Sequence, residues 1–439
     1  MRTGSRRRYY PRARPRGGIP ATPEPAASLW RHRDFLKLWA GQTISVFGSQ
    51  FTGVALPIVA VLALAATPAQ MGLLNAFGTL PFLLFGLIVG VWIDRWPRRP
   101  VLILGDVGRG VVVLGIAALA VLGLLRMEYL YLTAFATGVL SVFFDVAYQA
   151  YIPSLVGRTQ LVDANGKMEA SRAASQVAGP SVGGVVIQVL SAPFAMVFDA
   201  LTFFASGGFL AAIRKKEPPP GELGRSSMWR EAREGLGTVF GDDRLRAIAG
   251  CTATANLFGS AFFALYVLFI LDAPPVGLGV SPAALGLVFG LGSLGALVGA
   301  LVAGRLARRF GVGRVIVAGA AGFGLGAVPI VFATPPLAVP LLIGAQWMFG
   351  ISTLVYNINQ VSLRQAVTPH RLQGRMNATM RFLVWGTLPI GAILGGVLGE
   401  AIGLRTAMGL AAVGAELSVL WILFSPVRSV REMPAVVAD

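Results

Sequence analysis

Charge is what this sequence has least of. Asp, Glu, Lys and Arg make up 13% of its 439 residues, against about 25% in a soluble domain. With 55% hydrophobic residues beside so few charges, the chain does not compose a water-facing surface. Cysteine is nearly missing, and the single Cys251 excludes an intramolecular disulfide and any Cys-rich metal site. Only two histidines occur, His32 and His370, both in basic polar segments and neither placed for catalysis or proton relay inside a membrane. No Gly-x-x-x-x-Gly-Lys-Ser/Thr loop occurs, so there is no P-loop for ATP. No cofactor or metal is implied, and the energy for any work is expected from an ion gradient, with protons as the first candidate.

Apolar length is what the sequence has in quantity. The mean hydropathy is +0.70, and a run of about 20 apolar residues at roughly 1.5 Å rise each crosses a bilayer. We read twelve spans, at 38–65, 70–93, 101–125, 128–150, 168–190, 193–213, 246–271, 282–307, 313–333, 337–360, 376–400 and 404–425. The 55 glycines and 27 prolines suit close packing and breaks within such helices. A net charge of +17 and a pI near 11.1 would fit a nucleic-acid binder, but the placement of the charge argues otherwise. With the amino terminus inside, all of the 37 Lys and Arg except Arg126 and Arg405 fall on that side. Such a bias sets topology. Both termini are therefore expected in the cytoplasm, with the chain in the cytoplasmic membrane and lipid, not nucleic acid, against its basic surface.

The longest polar interruption, from Arg214 to Arg246 with Pro218-Pro219-Pro220, divides the chain almost evenly. This gives a basic tail and interfacial anchor over 1–37, a six-helix bundle over 38–213 and a cytoplasmic linker over 214–245. A second six-helix bundle follows over 246–425, then a tail over 426–439. Repetition supports the division. A shift of 214 lays Gly304 to Val315 on Gly90 to Val101; a shift of 212 lays Asn377 on Asn165 and Gly395-Gly396 on Gly183-Gly184. The fold class expected is all-α: a polytopic membrane protein of twelve transmembrane helices in two pseudo-symmetric bundles. Two such halves mark a secondary transporter, whose substrate site lies between them near mid-membrane.

Between spans 2 and 3 stands Gly90-Val91-Trp92-Ile93-Asp94-Arg95-Trp96-Pro97-Arg98-Arg99, too polar for hydrocarbon and too short for a domain. This turn resembles the loop signature of the major facilitator superfamily, G-x-x-x-D-R/K-x-G-R-R/K. Gly90, Asp94, Arg95, Arg98 and Arg99 match, and Pro97 stands where the pattern has Gly. Span 5 carries Gly179-Pro180-Ser181-Val182-Gly183-Gly184, a bend with a smooth face. It resembles the core of the superfamily's antiporter motif, with Ser175 in place of the leading Gly of the longer pattern. The run from Phe143 to Val156, followed by Leu161-Val162-Asp163-Ala164-Asn165, resembles the drug-exporter branch that includes macrolide efflux pumps and the enterobactin exporter. Span 4 lacks the arginine that many drug–proton antiporters carry. The resemblance implies a conformational latch at Gly90, Asp94, Arg95, Arg98 and Arg99, with Asp94 facing the positive end of the eleventh helix.

Charges inside spans are costly, by about 2.5–3.5 kcal/mol or more at a helix centre, and invite a functional reading. Glu416, mid-span in helix 12, is a candidate proton carboxylate or a structural hydrogen-bond acceptor. Asp145, near the cytoplasmic end of span 4, is a candidate substrate or proton ligand or the partner of a loop Arg. Asp199, near the outer end of span 6, is expected to reach water. Asp106 with Arg109, and Glu169 with Arg172, are spaced to pair along their own helices. Asn256, Gln346 and Asn357 are candidate cavity polar groups, and Tyr266, Trp347, Tyr356 and Trp385 could stack on an apolar ligand. The reading is a monomeric, non-enzymatic secondary transporter exporting a small amphipathic organic compound by proton antiport. A siderophore or metabolite exporter is the alternative on the same scaffold. A membrane enzyme or a non-transporting sensor is the rival from another class.

Overall fold

The computed structural model describes residues 29–86, 88–93, 95–157, 160–215, 217 and 228–434, all helices and short connections with no strand among them. The basic stretch 1–28, Asp94, the triple proline 218–220 and the end of the carboxyl tail lie outside these residues. The helices are α1 (Arg33–Leu62), α2 (Pro68–Phe85), α3 (Ile88–Ile93), α4 (Arg98–Val121), α5 (Met127–Leu155), α6 (Leu161–Val189) and α7 (Ala192–Ala211). After them come α8 (Met228–Gly241), α9 (Asp243–Leu271), α10 (Pro282–Phe310), α11 (Val312–Leu325), α12 (Val328–Val331) and α13 (Ala338–Val367). The chain closes with α14 (Gln373–Trp385), α15 (Thr387–Ile402), α16 (Leu404–Leu417) and α17 (Val419–Leu423).

Among the described residues, ten helical stretches are long and apolar enough to cross a membrane. The other two spans are α6, whose first half carries Lys167, Glu169 and Arg172, and α2 with α3, interrupted after Gly86. Twelve spans result, because α14–α15 is one span broken near its middle, and α11–α12 and α16–α17 are each one span broken in its last third. Glycine stands at three of the four breaks, Gly86, Gly326 and Gly386, as expected where a helix ladder opens. The helices also outrun the apolar windows: the fourth ends at Leu155, not 150, and the fifth begins at Leu161, not 168. Hydropathy marks where hydrocarbon begins, whereas backbone hydrogen bonding continues into the polar interface. For the same reason the linker is shorter than its sequence suggests. Its second half is α8, and α9 starts at Asp243 behind Asp242, whose carboxylate accepts the amides of Arg244 at 2.8 Å and Leu245 at 3.2 Å.

Spans 1–6 pack on one another as one bundle and spans 7–12 as a second. The bundles meet along two seams, α2 on α15 and α6 on α10. Both seams begin alike. Thr67 caps α2, with Pro68 first and Gly72 one turn on; Ser281 caps α10, with Pro282 first and Gly286 one turn on. The spacing between these corresponding residues is again 214. A Cβ built on Gly72 would fall 2.7 Å from the Cα of Gly396, and one on Gly184 would fall 2.8 Å from the Cα of Gly286. Only glycine permits this approach. The pairs Gly72–Gly396 and Gly184–Gly286 are thus one contact made twice by the pseudo-symmetry. Both lie at the end of the molecule remote from the arginine-rich turns, where Ala69 N–H also donates to Glu400 Oε2 at 3.3 Å.

Candidate functional site

Toward the arginine-rich end, α1, α5 and α6 enclose a cavity of about 750 Å³. Gln42, Asp145, Tyr148, Gln149, Asn165 and Arg172 give it a polar wall, and Met168, Val46 and Ile152 an apolar one. Asp145 is exposed to this space. Two guanidinium groups act on it through space: Arg109 from α4 behind it, and Arg381 from α14 of the other bundle. Glu169 and Arg172 pair along α6, at 2.9 Å.

The second bundle holds its own cavity, about 300 Å³, between α9, α11, α13 and α16. Phe263, Phe323 and Phe349 make its walls, and Gln346, Thr353 and Asn357 turn amides and a hydroxyl toward it. Asn256 lines it too, but its amide is committed, donating to the carbonyl of Val384 at 3.0 Å. One turn along, Ser260 donates to the carbonyl of Leu388 at 2.7 Å. These two carbonyls flank the break at Gly386, so α9 supplies side-chain donors at the interruption in the eleventh span. Gln360 donates to Asn357 at 3.3 Å. Tyr356 and Tyr266 are fully buried in the packing, while Trp347 and Trp385 are exposed.

The first bundle buries charge. Asp106 is wholly buried, and its Oδ1 accepts from Arg109 Nη2 at 2.5 Å. The guanidinium is held between the rings of Phe144 and Phe203, at 4.4 Å and 4.5 Å. Asp199 is equally enclosed, with 0% exposure, and does not reach water. Its position along span 6 suggested the outer surface, but its face of the helix points into the bundle, against α1 and α4. Depth is legible in a sequence; facing is less so.

The 2–3 turn is ordered around a carboxylate that sequence reasoning did not single out. Glu217 Oε2 accepts the amides of Arg98 at 2.8 Å and Arg99 at 3.3 Å, capping the first turn of α4, and its Oε1 receives Arg98 Nη1 at 3.4 Å. Negative charge at a helix N-terminus is favourable. Arg99 reaches the opposite kind of end, donating to the carbonyls of Leu210 at 3.0 Å and of Ala211, the last turn of α7. Gly90 has open space around it and Arg95 is exposed. Asp94, which the loop signature sets against the positive end of the eleventh helix, lies outside the described residues, whereas that helix end, the start of α14, is described.

The transmembrane secretion effector family matches residues 25–437, nearly the whole chain. The chain belongs to the major facilitator superfamily. Within it, this transporter stands in the drug-exporter branch. It is 27% identical to the multidrug efflux pump Tap of Mycolicibacterium fortuitum, over 82% of this chain and 87% of that protein. It is also 27% identical to the enterobactin exporter EntS of Citrobacter koseri, over 93% of this chain and 96% of that one. Its fold matches that of a bacterial homologue of the iron transporter ferroportin solved in an inward-facing state, with a TM-score of 0.71 at 17% identity over 90% of this chain and 98% of the other.

In this facilitator the antiporter-motif residues divide their work. Gly179 and Gly183 face Gln50 and Phe51 of α1, inside the first bundle, while Gly184 and the carbonyl of Pro180 face Gly286 across the seam. Glu416 is turned to the break between α11 and α12, and its Oε2 accepts the Leu325 amide at 3.2 Å. It lines neither of the two cavities described above. Glu416→Gln keeps an acceptor for that amide and is expected to leave thermal stability nearly unchanged. Glu416→Leu removes this acceptor while the amide, still within α11, keeps its helical carbonyl, and is expected to cost about 0.5–1.5 kcal/mol. Thermal denaturation of the purified protein followed by tryptophan fluorescence distinguishes the two.

Proposed function

We propose that the protein exports amphipathic organic compounds, macrolide-like drugs among them, across the cytoplasmic membrane in exchange for protons. The observation that carries this reading is the asymmetry of the seam. The bundles close on paired glycines at one end, while a polar cavity bearing Asp145 lies at the arginine-rich end. With the arginines at the cytoplasmic face, by the positive-inside bias, the cavity is loaded from the cytoplasm and the glycine seams form the outer gate. Rocking of residues 38–213 against 246–425 would open that gate. Asp145 is the carboxylate placed to meet a cationic or hydrogen-bonding substrate; Asn357 and Gln346 would offer neutral partners from the other bundle. The 90–99 turn would act as the latch on the cytoplasmic side. No cofactor enters this cycle, and one chain suffices for it.

A second reading, export of a siderophore or other metabolite, draws support from the enterobactin exporters, which align along nearly their whole length. Inverted membrane vesicles test the first. Ethidium and a fluorescent macrolide derivative should accumulate inside on energisation, and a proton-collapsing ionophore should abolish the accumulation. No accumulation of either probe, with secretion of an iron chelator by cells expressing the protein, would favour the second.

A further inference from the structure

Two carboxyl groups and one guanidinium are sealed inside the first bundle, and no second cation accompanies them among the groups that act on them. Asp106 Oδ2 and Asp199 Oδ2 are both buried without a hydrogen-bond partner, as are the hydroxyls of Thr52 and Ser206. The four oxygens come from α1, α4 and α7. Thr52 and Thr202 face Asp199, and Ser45 and Ser206 face Asp106. Thr202 Oγ1 donates to the Asp199 carbonyl at 2.7 Å and lies 3.3 Å from its Oδ1. We infer that Asp199, with Asp106 and Arg109, is the site that binds and releases the coupling proton, inside the first bundle and off the substrate cavity.

The argument is one of charge balance and connection. With both carboxyls ionised the cluster carries a net negative charge in an apolar bundle; one proton makes it neutral. The unpartnered oxygen of Asp199 and the adjacent hydroxyls are the groups arranged to receive it. Proton binding forms one O–H bond on a carboxylate oxygen, and release returns the proton to water; nothing else is made or broken. The groups facing Asp199 can be named by helix. From α1 it is Thr52, which is neutral; from α4, Asp106 and Arg109; from α7 itself, Thr202, while Ser45 and Ser206 face Asp106. No charged residue of α6 acts on Asp199. Arg109 is the link outward, since it contacts Asp106 and also acts on Asp199 and on Asp145 at the cavity wall. Protonating Asp199 leaves Asp106 as the partner of Arg109. Deprotonating it sets two buried carboxylates and the cavity carboxylate in competition for one guanidinium. Occupation of the cavity by a cationic substrate at Asp145 and occupation of the buried site by a proton are therefore coupled through Arg109.

This inference rests on the proton-driven reading, so the experiment has an arm that does not need transport. Infrared spectra of the purified full-length protein at neutral pH should show the carbonyl stretch of a protonated carboxyl, shifted in heavy water. Asp199→Asn should lose this band and Asp199→Glu should move it, while Glu416→Gln should keep it. An unaltered band in Asp199→Asn overturns the proposal, and so does its loss in Glu416→Gln with retention in Asp199→Glu at the wild-type frequency. In the second arm, Asp199→Asn in inverted vesicles should exchange ethidium down its gradient but lose the response to an imposed pH gradient. Retention of that response also overturns the proposal. Failure of the wild type to carry ethidium counts against the transport reading alone, and the infrared arm still decides the proton site.

Discussion

Arg109→Met will unfold at a lower temperature than the wild type, by an amount equivalent to about 3–5 kcal/mol, the usual cost of breaking a buried ion pair by removing one partner. Three losses coincide. Asp106, wholly buried, would keep neither of its oxygens bonded, since Arg109 is the donor to Oδ1 and Oδ2 already has none. The rings of Phe144 and Phe203 would lose the cation held between them, worth about 0.5–2 kcal/mol per contact. The cluster, already short of positive charge, would have none. The decisive comparison is with the double variant Arg109→Met/Asp106→Asn, which buries no more charge than Asp199 brings. It should recover most of the loss, because replacing a whole buried pair is nearly neutral where removing half is not. A coupling energy near zero in the resulting double-mutant cycle would mean that the two side chains do not depend on each other. Thermal denaturation of the four purified proteins in one detergent measures it.

How far the sequence anticipates this arrangement can be judged residue by residue. The Asp106–Arg109 pair is local, three residues apart on one helix, and its spacing alone predicts the contact. Glu169 with Arg172 is the same case. Burial of Asp199 was not legible, because hydropathy gives depth along a helix, and facing depends on which helices surround it. Glu217 caps α4 from a residue more than a hundred positions later, across a polar segment read only as a linker. No periodicity links two such sites. The glycines of span 5 stand out in the sequence as a smooth bend. That Gly184 meets Gly286, while its neighbour Gly183 meets Phe51, follows from the crossing of two bundles and had no local signal. The break in span 9 was likewise hidden. A lone carboxylate amid Ala, Gly and Leu reads equally as a proton carrier or as a hydrogen-bond acceptor, and the Leu325 amide that it accepts lies on another helix with no local signal pointing to it.

The glycine seams give the second large effect. Gly184→Leu will drive the bundles apart at the end remote from the arginine-rich turns and abolish efflux. A Cβ alone would sit 2.7 Å from the Pro282 carbonyl oxygen and 2.8 Å from the Gly286 Cα, backbone atoms that no side-chain rotation can move aside. Gly72→Leu meets the same obstacle in the Ala392 carbonyl oxygen at 2.6 Å and Gly396 at 2.7 Å. Overpacking of this kind costs about 1–3 kcal/mol. Where two rigid bundles have an alternative arrangement, that strain appears as a shift of roughly 10- to 100-fold toward the state with the seams parted. Spin labels at Leu124 and Phe332, exposed at that end on opposite bundles, read the separation directly, and the one native cysteine, Cys251, is buried and need not be removed. The distance distribution should lengthen in both leucine variants, by a similar amount in each, because the two seams are pseudo-symmetry copies. Gly183→Leu supplies the contrast. It presses on Phe51 within its own bundle, so it should lower stability without lengthening the distance. Should Gly184→Leu leave the label distance and efflux as they were, the seams would not be the gate. Should Gly72→Leu and Gly184→Leu differ in kind, the equivalence of the two halves would fail at the contact where it is closest.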